Sequence, residues 1–210
     1  GAHSSRLTLC VSSQVGCAFG CRFCASGLLG FTRNLTAAEI LGQILAAEEI
    51  AGERVDNLVF MGMGEPLANM DNLLPALTII MDEHSLNIGA RHITISTSGN
   101  VPGLKRLAAF GRPLRLAVSL HGACDEVRNQ IMPVNKKWNI KSLLTACVDY
   151  YAKTGRRISF EYSMIHGEND TPEHAKKLSS LLAGTLSHVN LIPLNAVKER
   201  SYVKSSGEAI

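Results

Sequence analysis

The 210-residue sequence is poor in aromatics, at 5%, and contains no apolar run near the roughly 18 residues that a bilayer-spanning helix needs. It has no basic-then-apolar leader ending in a small-residue cleavage site, so a soluble, cytoplasmic protein is expected. Internal repeats, low-complexity tracts and interdomain linkers are also lacking. Cysteines are not spread in pairs through a short chain, which excludes a secreted disulfide scaffold. Acidic residues are scarce between positions 91 and 160, where 12 Lys and Arg face Asp125, Glu126 and Asp149 alone. A basic sector of this kind can steer a polyanion, although solvated helix faces give the same count.

What is present is a globular composition, 46% apolar and 19% charged, long enough to bury a core without staples and inconsistent with general disorder. Gly1 to Ser5 reads as an expression remnant, residues 6–196 as one domain, and residues 197–210 as a poorly packed or truncated tail. Hydrophobic periodicity predicts strands over 7–12, 57–61, 91–97, 114–119, 158–164 and 188–192. Helices are predicted over 36–51, 71–83, 102–110, 140–154 and 171–182, the first opened by a Thr36/Glu39 capping box. Strands alternating with helices imply right-handed crossovers and a parallel sheet, doubly wound or curled into a barrel.

The polar motifs fall at the carboxyl ends of the predicted strands, the rim that carries ligands in parallel α/β folds. They are the cysteine loop, Gly62-Met63-Gly64-Glu65-Pro66, Ser96-Thr97-Ser98-Gly99, Ser119-Leu120-His121-Gly122 and Pro193-Leu194-Asn195. In the cysteine loop, Cys17, Cys21 and Cys24 are spaced C-x3-C-x2-C. Structural zinc wants a fourth ligand from a second pair, which the sequence does not supply. Soft thiolates suit iron-sulfur clusters, and three of them leave one iron open to a substrate or cofactor.

This spacing, with Phe23 before the last cysteine, resembles the signature of the radical S-adenosylmethionine (SAM) superfamily. Further blocks resemble the RlmN/Cfr family of RNA adenine methyltransferases: Cys10 to Cys17, Gly30 to Leu35, Met61 to Pro66, Ser96 to Gly99, Ser119 to His121, Met132 to Lys136 and Asn190 to Pro193. Gly64-Glu65-Pro66 is similar to the branch that methylates adenine C2 in 23S rRNA and, in some members, tRNA. The resemblance implies an α/β fold, an incomplete (βα)6 parallel barrel of radical SAM type. It implies a [4Fe-4S] cluster on Cys17, Cys21 and Cys24, whose reduced form cleaves SAM to a 5′-deoxyadenosyl radical. Gly64 and Glu65 would contact the methionine end of SAM, Ser96 would hydrogen-bond it, and Ser119, Leu120, His121 and Asn195 would line its ribose and adenine side. Cys10 matches the family's reaction thiol, which takes the ring proton and resolves a covalent protein-RNA adduct. Implied partners are RNA and an external electron donor of flavodoxin type, with a monomeric protein and no membrane. Arg91, Arg112, Arg115, Lys136 and Lys137 are candidate phosphate contacts, each with a solvated surface role as the simpler reading.

Family members methylate through a methyl-carrying cysteine near the C-terminus, and no cysteine follows Cys147 here. The family's N-terminal accessory domain is likewise not in the sequence, so a core fragment is expected. Two rivals remain at this point: another radical SAM enzyme such as a protein-radical activase, and a non-catalytic iron-sulfur or zinc module that binds RNA.

Overall fold

The structure, a computed structural model, describes residues 6–208. The expected expression remnant lies outside the described residues. In chain order the elements are β1 (Thr8–Cys10), β2 (Gln14–Gly16), β3 (Phe31–Asn34), α1 (Ala37–Ala51), β4 (Asn57–Phe60), α2 (Met70–Met81), β5 (Ile93–Thr97) and α3 (Val101–Phe110). There follow β6 (Arg115–Ser119), α4 (Asp125–Ile131), α5 (Ile140–Thr154), β7 (Ile158–Met164), α6 (Pro172–Leu182) and β8 (Ser187–Pro193).

Six strands form one parallel sheet in the order β1-β4-β5-β6-β7-β8. The first and last are not paired, which leaves the curled sheet an incomplete barrel, as the sequence implied. Local signals set the helix ends. Thr36 and Glu39 close the expected capping box on α1, and Asn139 caps α5 by accepting from the Ser142 N–H.

Strands of a parallel sheet buried on both faces read as continuous apolar runs, whereas these alternate. Leu58, Phe60, Ile93, Ile95, Leu116, Val118 and Phe160 are all buried within the main core, where Ile40, Ile44, Leu73, Leu77, Leu104, Leu143 and Tyr150 of the helices join them. Each such side chain fully buried contributes about 1.5–3 kcal/mol. The register matches these rows, Phe60 beside Ile95, Ile95 beside Leu116, and Leu116 beside Ile158. The intervening residues, Thr94, Ser96, Ala117, Ser119, Ser159 and Glu161, are small or polar and line cavities instead. The helix-facing side therefore stabilises the fold while the opposite side is left for ligands.

Three features depart from the sequence reading. The short antiparallel pair β2–β3 brackets the cysteine loop, and α4 follows β6; neither was expected. The tail is not loose throughout. His166 N–H donates to the Val203 carbonyl at 2.9 Å, and the buried Ser205 donates its hydroxyl to Asp170 Oδ2 at 2.8 Å, tying residues 203–205 back to the end of β7. No helix among the described residues is long and apolar enough to cross a membrane.

The fully buried Tyr150 hydroxyl donates to the Leu114 carbonyl at 2.9 Å, pinning α5 to the start of β6. Tyr150→Phe strands that carbonyl and is expected to lower stability by about 1–3 kcal/mol in urea denaturation. An unchanged midpoint would show that the bond contributes nothing.

Candidate cofactor site

The cysteine loop is a closed unit. At its neck, Cys17 N–H donates to the Gly30 carbonyl at 2.8 Å, extending the β2–β3 pair. Inside it, Cys24 N–H donates to the Cys21 carbonyl at 3.1 Å and Gly27 N–H to the Cys24 carbonyl at 3.3 Å, winding the chain so that all three thiols line one cavity of about 240 Å³. Phe19, Cys21 and Phe23 pack against a small apolar cluster of Ile131, Met132, Val134, Ile165 and Leu194. Arg22 N–H donates to the Ile131 carbonyl at 2.9 Å, fastening the loop to the end of α4. The Phe23 ring meets His121 edge to face, centroids 4.7 Å apart, so the aromatic before the last cysteine joins the loop to the rim after β6.

Burial pushes the Cys21 thiol up to about 12 and raises that of Cys17, and in both cases the neighbouring Cys24 adds repulsion. Among the described residues no group of three or more His, Cys, Asp and Glu closes around an ion. A cubane cluster binds each thiolate to a different iron, so its ligands need only surround a shared volume, and three sulfurs on one cavity wall fit that demand.

Gly64, Glu65, Ser96, Ser119 and His121 line the same cavity. Gly64 has φ of 103°, and a side chain there would run into Gln14, its Cβ falling 2.5 Å from that of Gln14. Gln14 Oε1 accepts from the Glu65 N–H at 2.8 Å, tying this segment to the start of the cysteine hairpin. The buried Glu65 carboxylate accepts from both the N–H and hydroxyl of Ser98 at 2.7 Å, and from the Leu67 N–H at 3.1 Å. Burial pushes its pKa up while these donors pull it down. Glu65 is therefore both a cap for the turn at 66–68 and a cavity wall, with Oε1, which accepts from Leu67 alone, left to accept once more from a ligand ammonium.

His121 adopts φ of 51° and accepts at Nδ1 from the Ser163 N–H at 2.8 Å, which leaves the proton of the neutral ring on Nε2. Burial, reinforced by the Arg128 charge, lowers its pKa to about 3. Asn169 holds the same turn by donating to the carbonyls of His121 and Ser163, both at 2.7 Å.

The remaining expected residues lie elsewhere. Leu120 has no exposed surface and belongs to the main core, so only its backbone serves the rim; the strand alternation points it toward the helices. Asn195 is exposed and does not line the cavity, because Leu194 takes the buried position after β8. Cys10 is an exposed thiol on the edge strand β1, paired with Val59, a residue lining a second cavity on the open face of the sheet. Sequence reasoning missed Ser98 as a partner of Glu65, and missed Asn169 and Arg128 altogether. Ser98 is adjacent to the recognised strand end; Arg128, within a charged helical stretch, gave no sign of burial.

The His121 ring is neutral when folded and titrates near 6.5 when free. As pH falls below about 6.5 the unfolded chain binds a proton that the folded chain refuses, so stability is lost toward about pH 3. In thermal melts across this range, the stability difference between wild type and His121→Asn should shrink as the solution is acidified. Parallel curves would refute it.

Comparison with known proteins agrees with this geometry. The model of the radical SAM superfamily matches residues 11–178. The chain is 59% identical over 208 residues to a probable dual-specificity RNA methyltransferase RlmN of Akkermansia muciniphila, covering 99% of this chain and 58% of that protein. A protein of the same name from Alkaliphilus oremlandii is 56% identical over 204 residues, 97% of this chain and 60% of that protein. The chain thus spans about three fifths of the curated relatives it matches. A crystal structure of a radical SAM methyltransferase from Sphaerobacter thermophilus superposes with a TM-score of 0.93 at 47% identity, over 97% of this chain and 61% of that one. The hydrogenase maturase HydG of Carboxydothermus hydrogenoformans, 17% identical with a TM-score of 0.61, shares the fold alone. Superfamily members in general use SAM and a [4Fe-4S] cluster, and with the matched region spanning the cysteine loop, β4 to β7 of the sheet and the rim motifs that follow β4, β5 and β6, the chain belongs to the radical SAM superfamily.

Proposed function

We propose that this chain is the catalytic core of a radical SAM methyltransferase that modifies adenine C2 in RNA, 23S rRNA and tRNA being the substrate class. The observation that carries the reading is the convergence of the three thiols of C-x3-C-x2-C and the Gly64-Glu65 wall on one cavity. The donor set suits the group: Cys17, Cys21 and Cys24 would hold three irons of a [4Fe-4S] cluster, leaving the fourth for SAM. When bound and reduced by an external donor of flavodoxin type, the cluster supplies the electron that cleaves the SAM sulfonium.

The chain's own residues do the positioning. Glu65, locked by Ser98, accepts from the ammonium of SAM, while Ser96, Ser119 and the His121 Nε2–H offer polar contacts to its ribose and adenine. Phe19 and Phe23 line the cysteine side of the cavity and limit water there. Cys10 has the exposure a reaction thiol needs and stands on the open face of the sheet. Cys147 is buried in the core and Cys124 lies at the start of α4, outside the cavity, so the methyl-carrier role is assigned to no cysteine of this sequence.

Exposed Arg115 and Arg157, with the partly buried Arg156, line the second cavity on the same face and favour a polyanionic substrate. Arg91, Arg112, Lys136 and Lys137 are exposed and remain available for phosphate contacts. The unpaired state of all six cysteines agrees with a reducing compartment such as the cytoplasm. A monomer is the simplest assembly for this reading.

Anaerobic reconstitution followed by dithionite and SAM should release 5′-deoxyadenosine from the wild-type chain. Cys17→Ala, Cys21→Ala and Cys24→Ala should each lose cluster iron, whereas Cys10→Ala should keep it. Full iron loading without SAM cleavage would overturn the reading, and loss of iron in Cys10→Ala would remove Cys10 as the reaction thiol.

A further inference from the structure

Arg128 of α4 has 0% of its surface exposed, yet among the described residues no carboxylate pairs with it. Its Nε donates to the Leu120 carbonyl at 3.0 Å, its Nη1 to Asn135 Oδ1 at 2.7 Å, and its Nη2 to the carbonyls of Ser98 at 2.6 Å and Ser119 at 3.1 Å. All four acceptors are neutral. Asp125 stands one residue removed, accepting at 2.8 Å from the Asn135 amide. Taking a guanidinium out of water without a counter-charge costs several kcal/mol, so a fold that keeps one there needs compensation from elsewhere.

The surroundings are shaped for this side chain. A Cβ at Gly99 would stand 3.0 Å from Nη2, and one at Gly122 would stand 3.0 Å from Arg128 Cβ and its backbone nitrogen. Both glycines terminate rim motifs, Ser96 to Gly99 and Ser119 to Gly122, so two sequence features that cofactor contacts leave unexplained make room for one arginine. Ser98 and Ser119, whose carbonyls it grips, line the cavity. The helix that carries Arg128 also receives the cysteine loop through the Arg22 to Ile131 bond. Its charge is felt at the rim, where it adds to burial in depressing the pKa of His121.

Resting on the functional reading above, we propose that Arg128 is the positioning residue that clamps the β5 and β6 rim, and that its charge is balanced by an anionic assembly of three cysteine thiolates and an iron-sulfur cluster. Reduction adds one negative charge to that assembly, so the guanidinium favours the reduced form and raises the midpoint potential. It touches neither substrate nor cofactor and acts through the field and through the carbonyls of Ser98, Ser119 and Leu120.

The test is a redox titration of the reconstituted protein followed by electron paramagnetic resonance, with iron content and thermal melting measured alongside. Arg128→Met, which removes the charge and keeps much of the stem, should titrate at a more negative potential than wild type. Arg128→Lys, which keeps a charge but not the fork, should stay near wild type even where its melting point falls. Arg128→Gln, which removes the charge but can still donate to a rim carbonyl, should shift the potential in the same direction as Arg128→Met, and it decides the matter if Arg128→Met does not fold. Wild-type potentials in Arg128→Met and Arg128→Gln, or an equal shift in Arg128→Lys and Arg128→Met, would overturn the assignment. A wild-type chain that binds no cluster would overturn the functional reading with it, whereas clusters of unchanged potential would overturn this inference alone.

Discussion

Three thiols that repel one another once ionised, lining one half-open cavity, set the terms for the rest of this structure. The loop that carries them contributes little by itself, being short and almost without regular structure. It holds because it is tied at three points: to its own neck through Cys17 and Gly30, to α4 through Arg22 and Ile131, and to the β6 rim through Phe23 and His121. The last two ties land on separate elements, so the placement of the sulfurs depends on α4 and the β6 rim being in place. An iron-sulfur core held there would relieve the repulsion, and Arg128 grips the carbonyls of Ser98 and Ser119, which line the same cavity.

The division of labour across the sheet follows from the same need. Helices cover one face, where alternate residues such as Leu58, Ile95 and Val118 are fully buried. The other face presents Ser96, Ser119 and Glu161 to cavities, which a closed barrel would fill with branched side chains. Leaving the sheet open between β1 and β8 sacrifices core volume and provides a long concave surface. The cysteine cavity at the carboxyl-end rim and the arginine-lined cavity, which reaches the amino ends of β6 and β7, share Met61 and Glu161.

Much of this was legible in the sequence because the strands and helices are strongly periodic. The α5 and β7 boundaries match expectation at both ends, and the Thr36/Glu39 cap marks α1 correctly. The β2 and β3 strands escaped notice because each is only three or four residues long and they pair across the cysteine loop, where no local period develops. Leu120 and Asn195 were placed at the site by motif resemblance. Alternation turns the first into the core, and burial of Leu194 turns the second to solvent. Arg128 was invisible because nothing in a stretch such as Asp125-Glu126-Val127-Arg128 separates a buried charge from a solvated one; only the backbone carbonyls of three distant residues reveal it. The end of the chain looked loose because it lacks apolar periodicity, yet it is held by the Ser205 to Asp170 bond and by Val203.

The central claim is that the protein binds three corners of an iron-sulfur cube and leaves the fourth to SAM. Mössbauer spectroscopy of the iron-57-reconstituted protein, with and without SAM, reads this directly. The account predicts that a single iron site changes its isomer shift when SAM is added while the other three do not. Four equivalent irons that ignore SAM would contradict it.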